Sequence, residues 1–260
     1  MIVSPRPEGL VLVRQVDHQE QCAAMASQWG NETFARPAPW GPIAGAAAWH
    51  DEGWRSWEAT PGVDMSGRPT DFVDIDRETH VGLYEDGIAT CVRRDPLTGL
   101  LVSLHGRGLY ERRLGIDGPR PDPGTRAPAV LAFLAAQTRL QEDLRRRLRP
   151  DPDWEWAGYR LLQAFDLLSL YLVWRAHPAG REGSLVRVPR WPGDEGITIT
   201  LRPTGRWRAS ADPYPFAADE VMLDVAARVI PDRRHAGPDA LSVAIAGARL
   251  VRLPYVVHRP

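Results

Sequence analysis

The stretch Leu161–Trp174, LLQAFDLLSLYLVW, decides how the rest of the chain is read. Its residues are apolar almost all round, and a helix of that kind is buried on every side. Gln163, Asp166 and Ser169 interrupt it, which makes it too short and too polar to span a bilayer. Asp166 sits between Phe165 and Leu167, with no Lys or Arg at i±3 or i±4. A buried unpaired carboxylate costs several kcal/mol unless a cation, a hydrogen-bond partner or a raised pKa relieves it. The partner of Asp166 must therefore come from another helix or be a metal.

Working outward, the pattern predicts helices over Asp153–Ala176, Ala127–Arg149, Asp95-Pro96 to about Tyr110, Glu78–Arg93 and Ile43 to about Trp54. A further helix is expected to start at Asp17 as N-cap, with Glu20 at the capping-box offset, and to run to about Trp29. Leu114–Arg126, rich in Pro and Gly, reads as a mobile connection. Ile2–Val3 and Leu10–Arg14 flank Pro5-Arg6-Pro7-Glu8-Gly9 and read as a β-hairpin. After Pro178 the texture changes. Ser184–Val188, Gly196–Leu201 and Arg206–Ala211 read as strands, while Asp219–Val229 and Asp239–Arg252 fit helix or strand. The expected fold is mainly α with a β-rich C-terminal part: residues 1–178 as hairpin and helical body, and 179–260 as a small antiparallel sheet that the hairpin could join.

Composition narrows the function classes. The 260 residues are 43% hydrophobic, enough for a sizeable core, and the net charge is −1. No overall field advertises nucleic acid or an anionic membrane as partner. Lysine is absent, so every fixed side-chain cation is Arg. Cys22 and Cys91 form neither a CxxC pair nor a disulfide framework, and the N-terminus lacks a signal-peptide run. The expectation is a cytoplasmic protein acting on a small molecule, with a homodimer as one possible assembly.

Four of the seven histidines and two aspartates fall on segments read as helical. His18 lies in the first helix, His50-Asp51 closes the Ala-rich AAAWHDEGW, His80 begins RETHVGLY, His105 lies in LLVSLHGRGLY, and Asp166 in the buried helix. A lone core histidine is more often bonded to a carbonyl than to a metal, and a lone buried aspartate is often a tie between helices. The case lies in the ordered set.

The order His, His-Asp, His, His, Asp resembles the ligand pattern of HD-domain proteins with two-metal sites, over about residues 16–176. His50-Asp51 corresponds to the doublet that names that superfamily, and HDEG to the HDxG found there. The resemblance implies an HD-like helical core. In it, His18, His50, Asp51 and Asp166 would hold one divalent ion, and His80 and His105 the other, with Asp51 bridging. The whole chain also resembles the uncharacterised bacterial domain-of-unknown-function family 3891, through WGNE, HDEGW and LLVSLHGRGL. His and carboxylate donors suit iron, which is favoured, or manganese.

Around this set, Arg55 is a candidate phosphate-binding cation and Glu52 a candidate proton-transfer group. Trp54, Arg107 and Tyr110 are candidates for walling a substrate pocket. Surface or packing roles are the commoner fate of each residue type. Three functions stay open. The first is a hydrolase in which a metal-bound hydroxide attacks a phosphoester of a nucleotide or small metabolite. The second is a mixed-valent diiron oxygenase acting on a small polar substrate with O₂. The third is a non-catalytic, metal-stabilised scaffold or sensor.

Overall fold

The N-terminal hairpin, β1 (Ile2–Arg6) and β2 (Gly9–Val13), is one edge of a sheet whose other strands lie more than 160 residues away in sequence. The computed structural model describes residues 1–111, 127–174 and 180–260. The expected Leu114–Arg126 connection lies outside them. After the hairpin come α1 (Gln15–Gln28), α2 (Gly41–Trp49), α3 (Trp54–Trp57), α4 (Arg77–Arg94), α5 (Pro96–Tyr110), α6 (Pro128–Leu148) and α7 (Pro152–Val173). Then follow β3 (Gly183–Val188), β4 (Ile197–Gly205), β5 (Arg208–Asp212), β6 (Glu220–Ile230), α8 (Pro238–Gly247) and β7 (Leu250–His258).

This corrects the expected fold class. The architecture is α+β with a seven-stranded mixed sheet in the order β1-β2-β6-β7-β5-β4-β3, not an HD-like helical core with a small antiparallel appendage. The sheet is antiparallel except where β5 runs parallel to β7. The two segments that fitted helix or strand account for the difference. In β6 burial alternates along the strand, and Val221, Leu223, Val225 and Ala227 are buried on one face. That period of two is the mark of a half-covered strand. β6 pairs with β2 on one side and β7 on the other, so it recruits the hairpin into the sheet. The second segment divides between α8 and β7.

The main helices pack on this sheet through one large core, and α8 packs through Leu241 on a second, smaller cluster with Met1, Val3, Leu10, Leu12 and Ile230. α1 lies against β6, and α7 against β3. Trp29, at the end of α1, is buried edge-to-face against Phe34, Phe165 and Phe216, with centroids 5.2–5.8 Å away. Asn31 donates to the carbonyls of Tyr214 and Phe216. The WGNE segment thus clamps the helical layer onto the sheet, and Phe165 carries that packing to the residue beside Asp166.

Helix boundaries follow local chemistry. Asp95 caps α5 by accepting from Thr98 N at 2.8 Å, with Pro96 in the first turn. Asp17 is not the N-cap of α1. The helix begins at Gln15, and Asp17 in its first turn takes a two-pronged bond from Arg14 at 2.7 Å. The expected helix from Ile43 to Trp54 breaks after Trp49, and His50–Gly53 form a turn before α3. Gly53 is the reason the turn can sit where it does: a Cβ there would lie 1.9 Å from the carbonyl oxygen of Leu83 on α4. No described helix is long and apolar enough to cross a membrane.

Candidate metal centre

Five of the six expected ligands converge. α1 presents His18, Gln21 and Cys22 at i, i+3 and i+4, the spacing that stacks side chains on one face. α7 presents Asp166 and Ser169 in the same way, and α5 supplies His105. The turn after α2 supplies His50 and Asp51. His18, His50, Asp51, His105 and Asp166 are all buried. Gly106 lets the fourth helix close in, since a Cβ there would come to 3.0 Å from the ring of Tyr84.

The polarity of the hydrogen bonds around His18 is fixed from the sheet inward. Gln21 Nε2 donates to the carbonyl of Leu223 on β6, so its Oε1 is an acceptor. Ser169 Oγ donates to that Oε1 at 2.6 Å and therefore accepts from His18 Nδ1–H, also at 2.6 Å. The other ring nitrogen, Nε2, then faces Asp166 Oδ1 at 3.0 Å and Asp51 Oδ2 at 3.9 Å. His50 is oriented alike. Its Nδ1 donates to the Ala47 carbonyl at 3.2 Å, and its Nε2 lies 3.5 Å from Asp51 Oδ2 and 3.9 Å from Asp166 Oδ1. Binding one nitrogen of a ligating histidine to a fixed acceptor leaves the other with its lone pair aimed at the metal.

Two imidazole nitrogens, His18 Nε2 and His50 Nε2, thus each lie 3.0–3.9 Å from two carboxylate oxygens, Asp51 Oδ2 and Asp166 Oδ1. Metal–ligand bonds of about 2.0–2.2 Å place neighbouring donors roughly 3.0–3.6 Å apart. The His18–Asp166 and His50–Asp51 separations of 3.0 and 3.5 Å match that range, and the two cross separations of 3.9 Å would have to close slightly on binding. Among the described residues, His50 Nε2 and His105 Nδ1 are buried without a hydrogen-bond partner. Orphaned buried nitrogens are costly unless a further partner is bound. The donor set fits a divalent cation.

The electrostatics agree. Burial works against a charged Asp166, yet the donation from His18 and the nearby His105 and His50 hold its pKa at about 2. Burial also works against protonation of His18, but Cys22 and Asp166 outweigh it and hold the imidazole well above its usual range. Burial lowers His105 to about 4, so it is neutral and able to ligate.

His80 stands one layer out. It is partly buried, its Nδ1 bonds Tyr110 Oη at 2.5 Å, and its ring packs on Tyr84 and Trp54 at 4.9 and 5.9 Å. Burial lowers its pKa to about 4. Tyr84 links it to the cage, donating to Asp51 Oδ1 at 3.1 Å with its ring 6.4 Å from that of His105. Burial, then Asp51 and Asp166, push the Tyr84 phenol well above its usual pKa.

The remaining candidates are not brought into the cage. Arg55 is exposed and paired with Glu52 at 2.9 Å. Glu52 also takes bonds from Arg94 and from Gln19 Nε2, and Arg55 foremost holds its carboxyl below the usual range. Its link to the centre is indirect, since Gln19 Oε1 accepts the Asp51 backbone N–H at 3.0 Å. Arg107 pairs with Glu111 and reaches Gln141. Trp54 is buried between Trp57 and His80, and Tyr110 is buried beneath His80. His235 and His258, left out of the metal set, lie elsewhere, their backbone N–H and side chain bonded to Gly67 and Thr204 respectively. His177, also left out, is outside the described residues.

Sequence reasoning missed Cys22, Tyr84, Gln21 and Ser169. Each lies three or four residues from an expected ligand on the same helix (His18, His80, Asp166), and that spacing was the available signal.

Fold and site together define an α+β protein with a buried His/Asp metal-type cage between its helices. The family described as "Protein of unknown function (DUF3891)" matches residues 1–232, and the chain belongs to that family. No curated protein and no solved structure matches it.

Proposed function

We propose that this chain is a two-metal enzyme that hydrolyses a phosphoester of a nucleotide or small metabolite. The observation that carries the reading is the set of four facing donors, His18 Nε2, His50 Nε2, Asp51 Oδ2 and Asp166 Oδ1, with His50 Nε2 otherwise orphaned. These four would hold the first ion. His80 and His105, with Asp51 shared, would hold the second, in the ligand order of two-metal HD-domain enzymes. Iron is the favoured metal and manganese the alternative.

Such a pair of ions, when bound, would supply an activated water and neutralise charge on the ester. The protein's own residues do the positioning. Ser169 and the Ala47 carbonyl set the two imidazoles, Gln19 holds the Asp51 backbone, and Tyr84 orients the Asp51 carboxylate. Only His80 of the six is part-exposed, which supports a small substrate entering on that side.

One observation favours a second reading, a mixed-valent diiron oxygenase with a small polar substrate. Arg55, the expected phosphate cation, is turned outward and paired with Glu52, while Tyr84, Trp54 and Tyr110 surround His80. Protein purified from cells supplied with iron or manganese, assayed for metal content and then against a phosphoester panel and for O₂ uptake, separates the two. Phosphate release supports the first. O₂ consumption with an iron EPR signal transfers the site to the second. A full-length protein that takes up no divalent ion rules out both.

A further inference from the structure

We propose that Cys22 is a sulfur ligand of the first ion, which makes that subsite selective for iron(II), cobalt(II) or zinc(II) over manganese(II) and magnesium(II). The inference rests on the reading that the cage holds a metal.

Cys22 is a free, fully buried thiol one helical turn after His18 on α1. Its Sγ lies 3.9 Å from His18 Nε2, the nitrogen that faces Asp166. The ligand atoms of His18, Cys22 and His50 all lie within 4.8 Å of one another. Metal–sulfur and metal–nitrogen bonds of about 2.3 and 2.0–2.1 Å put the two atoms roughly 3.6 Å apart on a tetrahedron, so closing the shell needs a shift of a few tenths of an ångström. The second, independent observation is His50 Nε2, buried and without a hydrogen-bond partner among the described residues, on the same cluster.

The other cysteine is an internal contrast. Cys91 is also buried, but its thiol donates to the Trp49 carbonyl at 3.3 Å, as a core cysteine with a satisfied proton does. Cys22 instead points at a nitrogen that already belongs to a donor set. Ligation would replace the S–H bond by a sulfur–metal bond and release the proton to solvent. Thiolate is a soft donor and shifts preference toward borderline ions, while oxygen and nitrogen donors alone are more tolerant of manganese.

The test is anaerobic titration of metal-free, full-length protein with cobalt(II). Visible ligand-field bands report binding, and a near-ultraviolet sulfur-to-cobalt charge-transfer band reports thiolate ligation. The wild type is expected to show both. Cys22→Ser should keep the ligand-field bands, lose the charge-transfer band, and lose at least about tenfold of the preference for cobalt over manganese. Ligand-field bands at full occupancy with no charge-transfer band in the wild type overturn the sulfur ligand and leave the metal cage standing. A band that persists in Cys22→Ser also overturns it. Absence of any cobalt binding overturns both. If Cys22→Ser does not fold, the wild-type spectrum and a Cys91→Ser control decide.

Discussion

His18 Nε2 lies 3.0 Å from Asp166 Oδ1 although the proton of the neutral ring is committed on the opposite side, to Ser169. Two lone pairs at that distance repel unless a second proton or a metal ion lies between them. Ser169 therefore sets the ring of His18 from the side away from Asp166, and would act on a bound ion without touching it. Ser169→Ala frees the ring to turn or change tautomer, and it also strands Gln21 Oε1. Loss of such an orienting partner weakens metal binding by about 10–100-fold. Calorimetric titration of the variant checks this. An unchanged affinity would mean that the chain from Leu223 through Gln21 and Ser169 does not set the ligand.

Metal removal should lower stability, because the cage exists only in the folded chain. Free ion held at 100 times its dissociation constant stabilises by about 2.7 kcal/mol, which for a chain of this size raises Tm by roughly 5–10 °C. Thermal melts with and without chelator measure it. The same shift in Asp166→Asn would show that the ion binds elsewhere.

The main helices between residues 15 and 173 were legible from their caps and periodicity, and the convergence of five of the six expected residues followed from a buried carboxylate in an apolar helix having few solutions. Asp166 pointed to partners on other helices, and His18, His50, Asp51 and His105 are where that argument needed them. The sheet was legible only in part: the hairpin and β3–β5 were read as strands, but β6, β7 and the size and mixed topology of the sheet were not. The strand β6 alternates by burial, but Glu220–Ile230 mixes small and branched residues that also suit a helix, and its pairing with β2 spans most of the chain. Nothing local encodes such a long-range pairing. Arg55 and Glu52 illustrate a different failure. Adjacency to the doublet suggested a role, but the turn ended by Gly53 sends their side chains into a pair with each other.

The metal-free protein should gain stability as pH rises from about 4 to 6.5. Burial lowers the pKa of both His80 and His105 to about 4 from an ordinary 6.5, so in this window the unfolded chain binds more protons than the folded one. Their contribution is complete above 6.5 and lost as pH falls through 4. His18, held well above 6.5, has the opposite sign, and its contribution fades only as pH rises through its folded value. Urea melts of chelated protein at pH 4.5, 5.5 and 6.5 should give rising midpoints. Conversion of His105 to Gln should flatten the rise, and an equally steep profile in that variant would place the titration on other groups.

Gly53 couples the packing of α4 to the turn that carries His50 and Asp51. A methyl group there would lie 1.9 Å from the Leu83 carbonyl oxygen and 3.0 Å from Gly87 N, both backbone atoms of α4 that cannot move alone. Gly53→Ala must push α4 away from the turn that carries His50 and Asp51, and α4 also carries His80 and Tyr84. Overpacking of this kind costs about 1–3 kcal/mol. Because Tyr84 bonds Asp51 across that gap, the displacement should reach the ligands as well. The expected result is a lower Tm together with weaker metal binding. Gly62→Ala, in a loop with a nearest contact at 3.4 Å, should change neither. If Gly53→Ala melts early but binds metal as the wild type does, the α4 contact supports the fold alone and the second subsite does not depend on it.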